Sequence, residues 1–375
     1  MISFNEPRIS GFDKKNINKV LSSKKLIDGL YQRNTADLLK KIISSSFVEL
    51  TQSGSNALEI ASLLLNIDID DEVIMPSFTF SATANSVALF GGKPVFADIN
   101  ESDLCLNLDD AEKLITSKTK AIYLVHYGGN CCDMDKAKYL KKKYNLFLVE
   151  DSAHSLFSKY KNQFSGTIGD IGIFSFHQTK NFCAGHGGAI SVNLRRLQNR
   201  ASILLDKGNM RKEKSSFGFY KWADIGSEYR STEIGAALLY DQFKRAKSIQ
   251  KKKKRIFKFY KSVFAKIVNF KQYCNFIDVN EYSDHSYHIV GLIFKKVSYA
   301  EKFLEFMFQN KIQVTRHYFP LHLSPYGKSF RSSSCKITNK VYKRLIRLPT
   351  HLNLNNEQIK KIEKNIKKFF KIILN

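Results

Sequence analysis

The sequence lacks any run of about 18 apolar residues, the length that a membrane-spanning helix requires. Its first residues, 1–16, contain neither an apolar core nor a small-residue cleavage site, so we expect no secretory signal peptide. None of the six cysteines forms a Cys-x-x-Cys pair, which argues against a zinc ribbon or a thioredoxin-like site. Free thiols in a reducing cytosol are the simplest interpretation, and we predict a cytoplasmic protein.

Several catalytic motifs are also missing. The nine histidines fall into neither an HExxH motif nor a Cys/His cluster, so we predict no metal site. The sequence has no GxSxG motif, which excludes the nucleophile elbow of the α/β-hydrolases. Gly166, Gly169 and Gly172 precede an apolar strand and do not open a helix, so they do not form a dinucleotide-binding fingerprint.

Acidic residues are scarce in the last third of the chain. The net charge is +26, and residues 241–375 contribute +22 of it, with 30 basic and 8 acidic side chains. The excess peaks at residues 251–255, KKKKR, which aromatic residues follow. Such a run is found in nucleic-acid-binding surfaces, but a solvated helix face in a lysine-rich protein is the interpretation we favour.

The 375 residues predict one large and one small domain around a sizeable core, since 43% of them are hydrophobic. From about residue 50 to 195, short apolar strands alternate with amphipathic helices, which predicts an α/β fold with a mainly parallel sheet covered on both faces. Residues 231–262 predict one long helix that bridges to a smaller α+β domain. We therefore divide the chain into a large domain, 1–240, and a small C-terminal domain, 241–375.

Ligands of such sheets bind at the carboxyl ends of the strands, and two charged residues at these ends are candidates for a functional site. Asp151 follows the strand Phe147–Val149, and a carboxylate there suits the pyridine nitrogen of pyridoxal phosphate, which must stay protonated for the ring to withdraw electrons. Because Ser152 and Ala153 follow, Asp151 is equally well explained as a helix N-cap. Lys180 comes just after the strand 171–176, where partial desolvation would lower the pKa of its amine. Most lysines are simply solvated, and only this placement favours a catalytic role.

Two further positions are weaker candidates. Ser53-Gly54-Ser55 precedes a helix, where free backbone N–H groups and the helix dipole favour a phosphate, although ordinary capping gives the same pattern. Phe80 follows a strand end at Pro76 and either stacks on a flat ring or belongs to the core.

Several long motifs, in order, resemble the DegT/StrS family of sugar-nucleotide aminotransferases. They are SGSNALEIASLLL, DEVIMPSFTFSATANSV, VEDSAHS and GDIGIFSFHQTKNFCAGHGGAISVN, together with ISFNEPRISG, HSYHIVGLIF and HYFPLHLSP. The resemblance covers nearly the whole chain and implies the aspartate aminotransferase fold, known as fold type I. Within the family, SSKKLIDG, VHYGGNCCDMD and KWADIGSEYRSTEIGAA look most like the dTDP-4-amino-4,6-dideoxygalactose transaminases (the WecE/RffA type).

The resemblance implies roles for individual residues. Lys180 matches the lysine that holds pyridoxal 5'-phosphate as a Schiff base, and Asp151 matches the partner of its pyridinium. The other matches are to cofactor contacts at Gly54, Ser55, Phe80, His154 and Ser175, and to substrate contacts at Tyr229, His317 and Tyr318. Glu228 stands where many members have an asparagine that reaches the cofactor phosphate of a partner subunit. A glutamate would repel that phosphate unless it turned away or paired with a cation.

The implied function is a ping-pong transamination from L-glutamate to a dTDP-4-keto-6-deoxyhexose, with Lys180 as general base and acid and a surface polysaccharide as the destination of the amino sugar. The resemblance also implies a homodimer with shared active sites. Two alternatives stay open: an aminotransferase for a 3-keto or UDP-linked sugar, and a non-enzymatic regulator or nucleic-acid binder.

Overall fold

The computed structural model describes residues 1–210 and 220–374. Its strands are β1 (Val48–Thr51), β2 (Glu72–Pro76), β3 (Lys93–Ala97), β4 (Thr119–Val125), β5 (Phe147–Asp151), β6 (Lys159–Tyr160), β7 (Gln163–Phe164), β8 (Ile171–Ser175), β9 (Gly188–Val192), β10 (Asn209–Met210), β11 (Lys221–Trp222), β12 (Cys274–Phe276), β13 (Ser283–Asp284), β14 (Val290–Phe294) and β15 (Leu345–Leu348). Its α-helices are α1 (Gly11–Ser23), α2 (Leu30–Ile43), α3 (Gly54–Leu64), α4 (Ser81–Ala88), α5 (Leu108–Lys113), α6 (Met134–Tyr144), α7 (Arg195–Leu205), α8 (Glu233–Lys244), α9 (Ala246–Ala265), α10 (Phe270–Tyr273), α11 (Val297–Gln309), α12 (Lys336–Val341) and α13 (Asn356–Leu374).

A seven-stranded sheet organises the first part of the chain, in the order β1-β9-β8-β5-β4-β2-β3. The strands from β8 to β3 pair in parallel, whereas β9 pairs antiparallel with both β8 and β1. The predicted mainly parallel α/β sheet is therefore confirmed.

Both faces of this sheet are buried, as the near-continuous apolar strands require. In β4, Ile122 and Leu124 pack into a core that α5 and α6 cover. Ala121 and Tyr123 point the other way, into a core that α3 and α7 cover. This alternation fixes the register of the sheet. The parallel pairing of β2, β4, β5 and β8 brings their carboxyl ends to one edge.

The C-terminal part of the chain has its own core around the antiparallel sheet β12-β14-β15, which α9, α11 and α13 cover. The N-terminus joins it: Ile2 belongs to this core and exchanges backbone hydrogen bonds with Lys311 and Gln313. The boundary at residue 240 stays a prediction.

The single long helix predicted over 231–262 is wrong, because the structure has two helices, α8 and α9, that meet at Arg245. Arg245 leaves helical geometry (φ −96°, ψ 13°), and its guanidinium donates to Ser10 and Asp13 of the α1 N-terminus. This contact joins segments more than 230 residues apart, so the local periodicity of 231–262 could not reveal the break.

The lysine run of α9 is mostly a solvated face, as favoured from the sequence. Lys251, Lys252, Lys254 and Arg255 are exposed, whereas Lys253 is buried.

All six cysteines are free and buried. None of the described helices is both long enough and apolar enough to span a membrane. Within residues 1–210 and 220–374, no group of three or more His, Cys, Asp or Glu side chains is arranged to hold a metal ion.

Candidate active site

A cavity of about 530 Å³ opens at the carboxyl ends of β5 and β8, where the parallel-sheet rule places a ligand site. Nine of the ten residues predicted from the sequence line it: Gly54, Ser55, Phe80, Asp151, His154, Ser175, Lys180, His317 and Tyr318. They come from five separate stretches of the chain, which the fold brings together around one space.

Asp151 is the last residue of β5 and is almost fully buried. Its carboxylate accepts hydrogen bonds from the Ala153 N–H and the Thr83 hydroxyl, both at 3.1 Å. Burial raises the pKa of Asp151, while these two donors and Lys180 act to lower it. No helix begins after Asp151, so the N-cap interpretation is wrong; its backbone runs into a turn. A buried carboxylate that two hydrogen bonds hold in place favours a cationic group beside it in the cavity, because an opposite charge stabilises its ionised form.

Lys180 lies in the turn after β8, and its N–H donates to the His177 carbonyl at 2.8 Å. Burial lowers the pKa of its amine to about 8, Asp151 opposes this shift and Arg347 adds to it. A substantial fraction of the amine is therefore neutral near physiological pH, as a nucleophile or proton carrier requires.

The N-terminus of α3 forms a compact cradle against the end of β8. Ser53 caps the helix, with its hydroxyl accepting from the Asn56 N–H at 3.1 Å. Gly54 lies so close to Ser175 that an added Cβ would stand 3.0 Å from the Ser175 Cβ. The capping role of Ser53 does not exclude a phosphate, because Gly54, Ser55 and Ser175 still face the cavity beside the positive end of the helix.

Phe80 is 61% exposed and lines the cavity, so it does not belong to the core. Its ring centroid is 6.3 Å from that of Tyr318. An exposed aromatic ring at a cavity wall offers a flat apolar surface to a planar ligand.

Three histidines form one wall of the cavity. The His154 ring packs against His288 (centroids 4.6 Å apart) and stacks parallel to His317 (5.6 Å). His154 Nδ1 accepts from the Gly128 N–H, and its Nε2 lies 3.3 Å from the Tyr318 hydroxyl. Burial lowers the pKa of all three imidazoles, and nearby cations add to this effect. The wall is therefore neutral and polar.

Tyr229 is the one predicted residue that does not line this cavity. It is buried in the core that α3 and α7 cover, and its carbonyl accepts from the Gln52 N–H. The neighbouring Glu228 pairs with Lys207, with 2.6 Å between Oε2 and Nζ. The structure thus meets one of the two conditions stated for a glutamate at this position, because Glu228 is paired with a cation.

Sequence reasoning missed four residues that shape the site: Thr83, Tyr127, His288 and Arg347. Thr83 holds Asp151, and the Tyr127 hydroxyl lies 3.0 Å from His317 Nδ1. His288 and Arg347 line the cavity from the C-terminal part of the chain. Of these four residues, Arg347 had a signal in the sequence that could have identified it, namely a charged side chain within the apolar run LIRLP.

Comparison with known proteins identifies the family. Residues 7–367 match the model of the DegT/DnrJ/EryC1/StrS aminotransferase family. The chain belongs to this family. It is 30% identical over 371 residues to a GDP-perosamine synthase of Escherichia coli O157:H7, with 97% of both chains covered. It is 28% identical over 368 residues to a UDP-4-amino-4,6-dideoxy-N-acetyl-beta-L-altrosamine transaminase of Campylobacter jejuni, with 96% of this chain and 95% of the relative covered.

Among solved structures, the aminotransferase PseC of Helicobacter pylori, involved in the biosynthesis of pseudoaminic acid, superimposes with a TM-score of 0.91 at 27% identity, covering 99% of both chains. The DegT-family chain is thus a pyridoxal-phosphate-dependent sugar aminotransferase of fold type I. The site fits this cofactor, because one cavity is lined by a buried carboxylate, a lysine with a lowered pKa, an exposed aromatic ring and a helix N-terminus where only a glycine fits closely against the neighbouring strand.

Proposed function

We propose that this enzyme transfers the amino group of L-glutamate to the keto carbon of a nucleotide-linked 4-keto-6-deoxyhexose. The observation that carries the proposal is that Lys180 and Asp151 line one cavity, together with a wall of neutral histidines, in a chain of this family. The names of relatives with amino groups at C4 of 4,6-dideoxy sugars support the position of amination.

Pyridoxal phosphate supplies the electron sink that acidifies the donor Cα–H. In our proposal, Asp151 holds a positive charge on the ring nitrogen, and Phe80 packs on the ring face. Gly54, Ser55 and Ser175 bind the phosphate at the start of α3. Each of these contacts uses a side chain or N–H group that already faces the cavity.

Lys180 is the proton carrier in this proposal. Its neutral amine removes the proton from the donor Cα and later delivers one to the sugar carbon that receives nitrogen. A pKa of about 8 suits both directions, because the amine and the ammonium are both populated near neutral pH. In this proposal, His317 and Tyr318 hydrogen-bond the sugar and His154 contacts the cofactor, all three as uncharged side chains.

The identity of the nucleotide is a separate part of the proposal. The sequence motifs favour dTDP-4-keto-6-deoxy-D-glucose and a galacto product for a surface polysaccharide, whereas the relatives are named for GDP- and UDP-linked sugars. We further propose a homodimer with shared sites, supported by exposed apolar side chains at Phe12, Ile27, Leu30 and Trp222.

The test is an assay of the reconstituted protein with L-glutamate and dTDP-, GDP- and UDP-linked 4-keto-6-deoxyhexoses, with a 3-keto sugar as comparison. We expect 2-oxoglutarate and an amino sugar from one 4-keto substrate, and no product from Lys180→Ala. Absence of product from every ketosugar, or unchanged turnover by Lys180→Ala, would refute the proposal. Light scattering of the same sample gives the oligomeric state, and a monomer would contradict the homodimer.

A further inference from the structure

Asn181 follows Lys180 directly in the turn after β8, and its side chain contacts the C-terminal part of the chain. Its Nδ2 donates to the Ser286 carbonyl at 2.9 Å, and its Oδ1 lies 3.2 Å from His288 Nδ1. Both contacts join segments more than 100 residues apart in the sequence. The turn that contains Lys180 is therefore tied to the segment just ahead of β14.

Ser286 extends this link to the turn that follows Asp151. It is fully buried, and its hydroxyl donates to the carbonyl of His154, three residues after Asp151, at 2.7 Å. Its N–H donates to the Ser158 hydroxyl at 2.9 Å. The turns after β5 and β8 are thus both fastened to one residue from a distant part of the chain. Their relative placement matters, because a displacement of about 1 Å between groups that act on one ligand can lower a rate about 100-fold.

The amide of Asn181 also determines which ring nitrogen of His288 is protonated. A carbonyl oxygen accepts and cannot donate, so the amide NH2 must be the group that faces Ser286. The amide oxygen then faces His288 Nδ1 and can only accept, so Nδ1 must be the donor. Burial lowers the pKa of His288 and nearby cations add to this effect, so the ring is neutral. Its Nε2 therefore has the free lone pair, on a ring that lines the cavity.

The backbone of His288 is held by other residues. Its carbonyl accepts from the Thr350 hydroxyl at 3.2 Å and from the Lys253 amine at 3.3 Å. Loss of the Asn181 side chain should therefore release the imidazole ring and the Lys180 turn while the segment ahead of β14 stays in place.

We propose that Asn181 is a positioning residue that ties the Lys180 turn to Ser286 and holds His288 as its Nδ1–H tautomer. This inference rests on the proposed function, in which Lys180 is the proton carrier. Asn181 acts through Lys180, since the two residues are adjacent in one turn. It also acts through His288, because an acceptor at Nε2 favours a hydrogen-bond donor beside it and disfavours a carbonyl or phosphate oxygen.

The experiment compares Asn181→Ala and Asn181→Asp with a matched control, Asn193→Ala. Asn193 also makes two side-chain hydrogen bonds, to the Gly166 and Gly169 carbonyls, which precede β8 at the end of the strand away from Lys180. Nitrogen-15 NMR of the histidine-labelled holoenzyme gives the tautomer of each imidazole. Stopped-flow spectroscopy of the pyridoxal form with glutamate gives the rate and the half-saturating concentration of the first half-reaction. The variant His288→Gln identifies the NMR signals of His288.

Wild-type His288 should be protonated at Nδ1 and unprotonated at Nε2. Asn181→Ala should lose this single tautomer, whereas Asn181→Asp should keep the proton on Nδ1, because a carboxylate oxygen still accepts it. Both variants no longer donate to Ser286, so the rate of the glutamate half-reaction should fall about 10- to 100-fold. Half-saturating glutamate should change less than about threefold, because the proposal removes no contact with the donor. Asn193→Ala should stay within about threefold of the wild-type rate at a similar loss of thermal stability.

Three results would overturn the inference. One is a wild-type His288 protonated at Nε2 and not at Nδ1, and another is an Asn181→Ala enzyme that keeps the single Nδ1–H tautomer. The third is an Asn181→Ala rate close to that of the wild type, or a loss that Asn193→Ala equals. Failure of the proposed function is distinguishable, because the wild-type enzyme would then aminate no nucleotide sugar while the tautomer, measured without substrate, still decides the role of Asn181.

Discussion

The titration of Lys180 tests the electrostatics of the site before any substrate is added. Burial brings the pKa of this amine to about 8, against about 10.4 for a free lysine side chain. At pH 7.5, about a quarter of the Lys180 side chains should be neutral, compared with roughly one in a thousand free lysines. Lys180 should therefore be on the order of 200 times richer in reactive amine than a solvated lysine at that pH.

Two substitutions should move this pKa in opposite directions. Asp151→Asn removes the charge that raises the pKa of Lys180, so the pKa should fall further. Arg347→Gln removes a charge that lowers it, so the pKa should rise. The opposite signs make the pair a matched control, because a general loosening of the fold would expose the amine and raise the pKa in both variants.

Competitive acetylation of the cofactor-free protein between pH 6 and 11 measures the effect. Mass spectrometry of the peptide that contains Lys180 gives its modification, with free phenylalanine as the internal standard. We expect a half-point near pH 8. A half-point at pH 10 or above, or an upward shift in Asp151→Asn, would refute the electrostatic account.

Three other predictions concern single contacts. Lys253 is buried and donates to the His288 and Thr350 carbonyls, and burial lowers its pKa to about 7. Because its pKa is higher in the unfolded chain, the free energy of unfolding of the wild type should rise relative to that of Lys253→Met between pH 7.5 and 9.5, by up to about 1.4 kcal/mol per pH unit. Equal pH slopes of the two proteins in denaturant unfolding would contradict this. Gly54→Ala should weaken cofactor affinity about tenfold, because the added Cβ crowds Ser175. Gly11→Ala is the control and should leave the affinity unchanged, since its Cβ would meet nothing within 4 Å. Equal affinities of the two variants in a fluorescence titration would count against a phosphate cradle at Gly54. Glu228→Gln should change the free energy of unfolding by less than about 1 kcal/mol, since its pair with Lys207 is half exposed, and a larger thermal destabilisation would show a further contact.

The central features of the site could be predicted because they follow from local pattern and one topological rule. Apolar strands ending at Asp151 and just before Lys180 indicated parallel neighbours, and parallel strands present their carboxyl ends at one edge. β5 and β8 are adjacent in the sheet, so the two residues share the cavity. Their assignment as cofactor ligands stays a prediction, and it depended on the family motifs as well, because their spacing is equally consistent with a helix N-cap at Asp151 and a solvated side chain at Lys180.

The remaining features depend on contacts between distant segments. Arg347 reaches the cavity because β15 pairs with β14 and Thr315, and His288 reaches it just ahead of β14. Nothing in the periodicity of either segment shows that it lies beside the large sheet. The break at Arg245 depends in the same way on Ser10 and Asp13. Hydrophobic patterning predicts which face of an element is buried and does not predict which segment covers it.

The most direct test of the account is to locate the lysine that binds the cofactor. The holoenzyme is reduced with borohydride, which fixes pyridoxal phosphate to its lysine, and is then digested and analysed by mass spectrometry. The account predicts the pyridoxyl group on the peptide that contains Lys180, with none on Lys253, another buried amine with a lowered pKa. Modification of a different lysine, or no stable adduct, would contradict it.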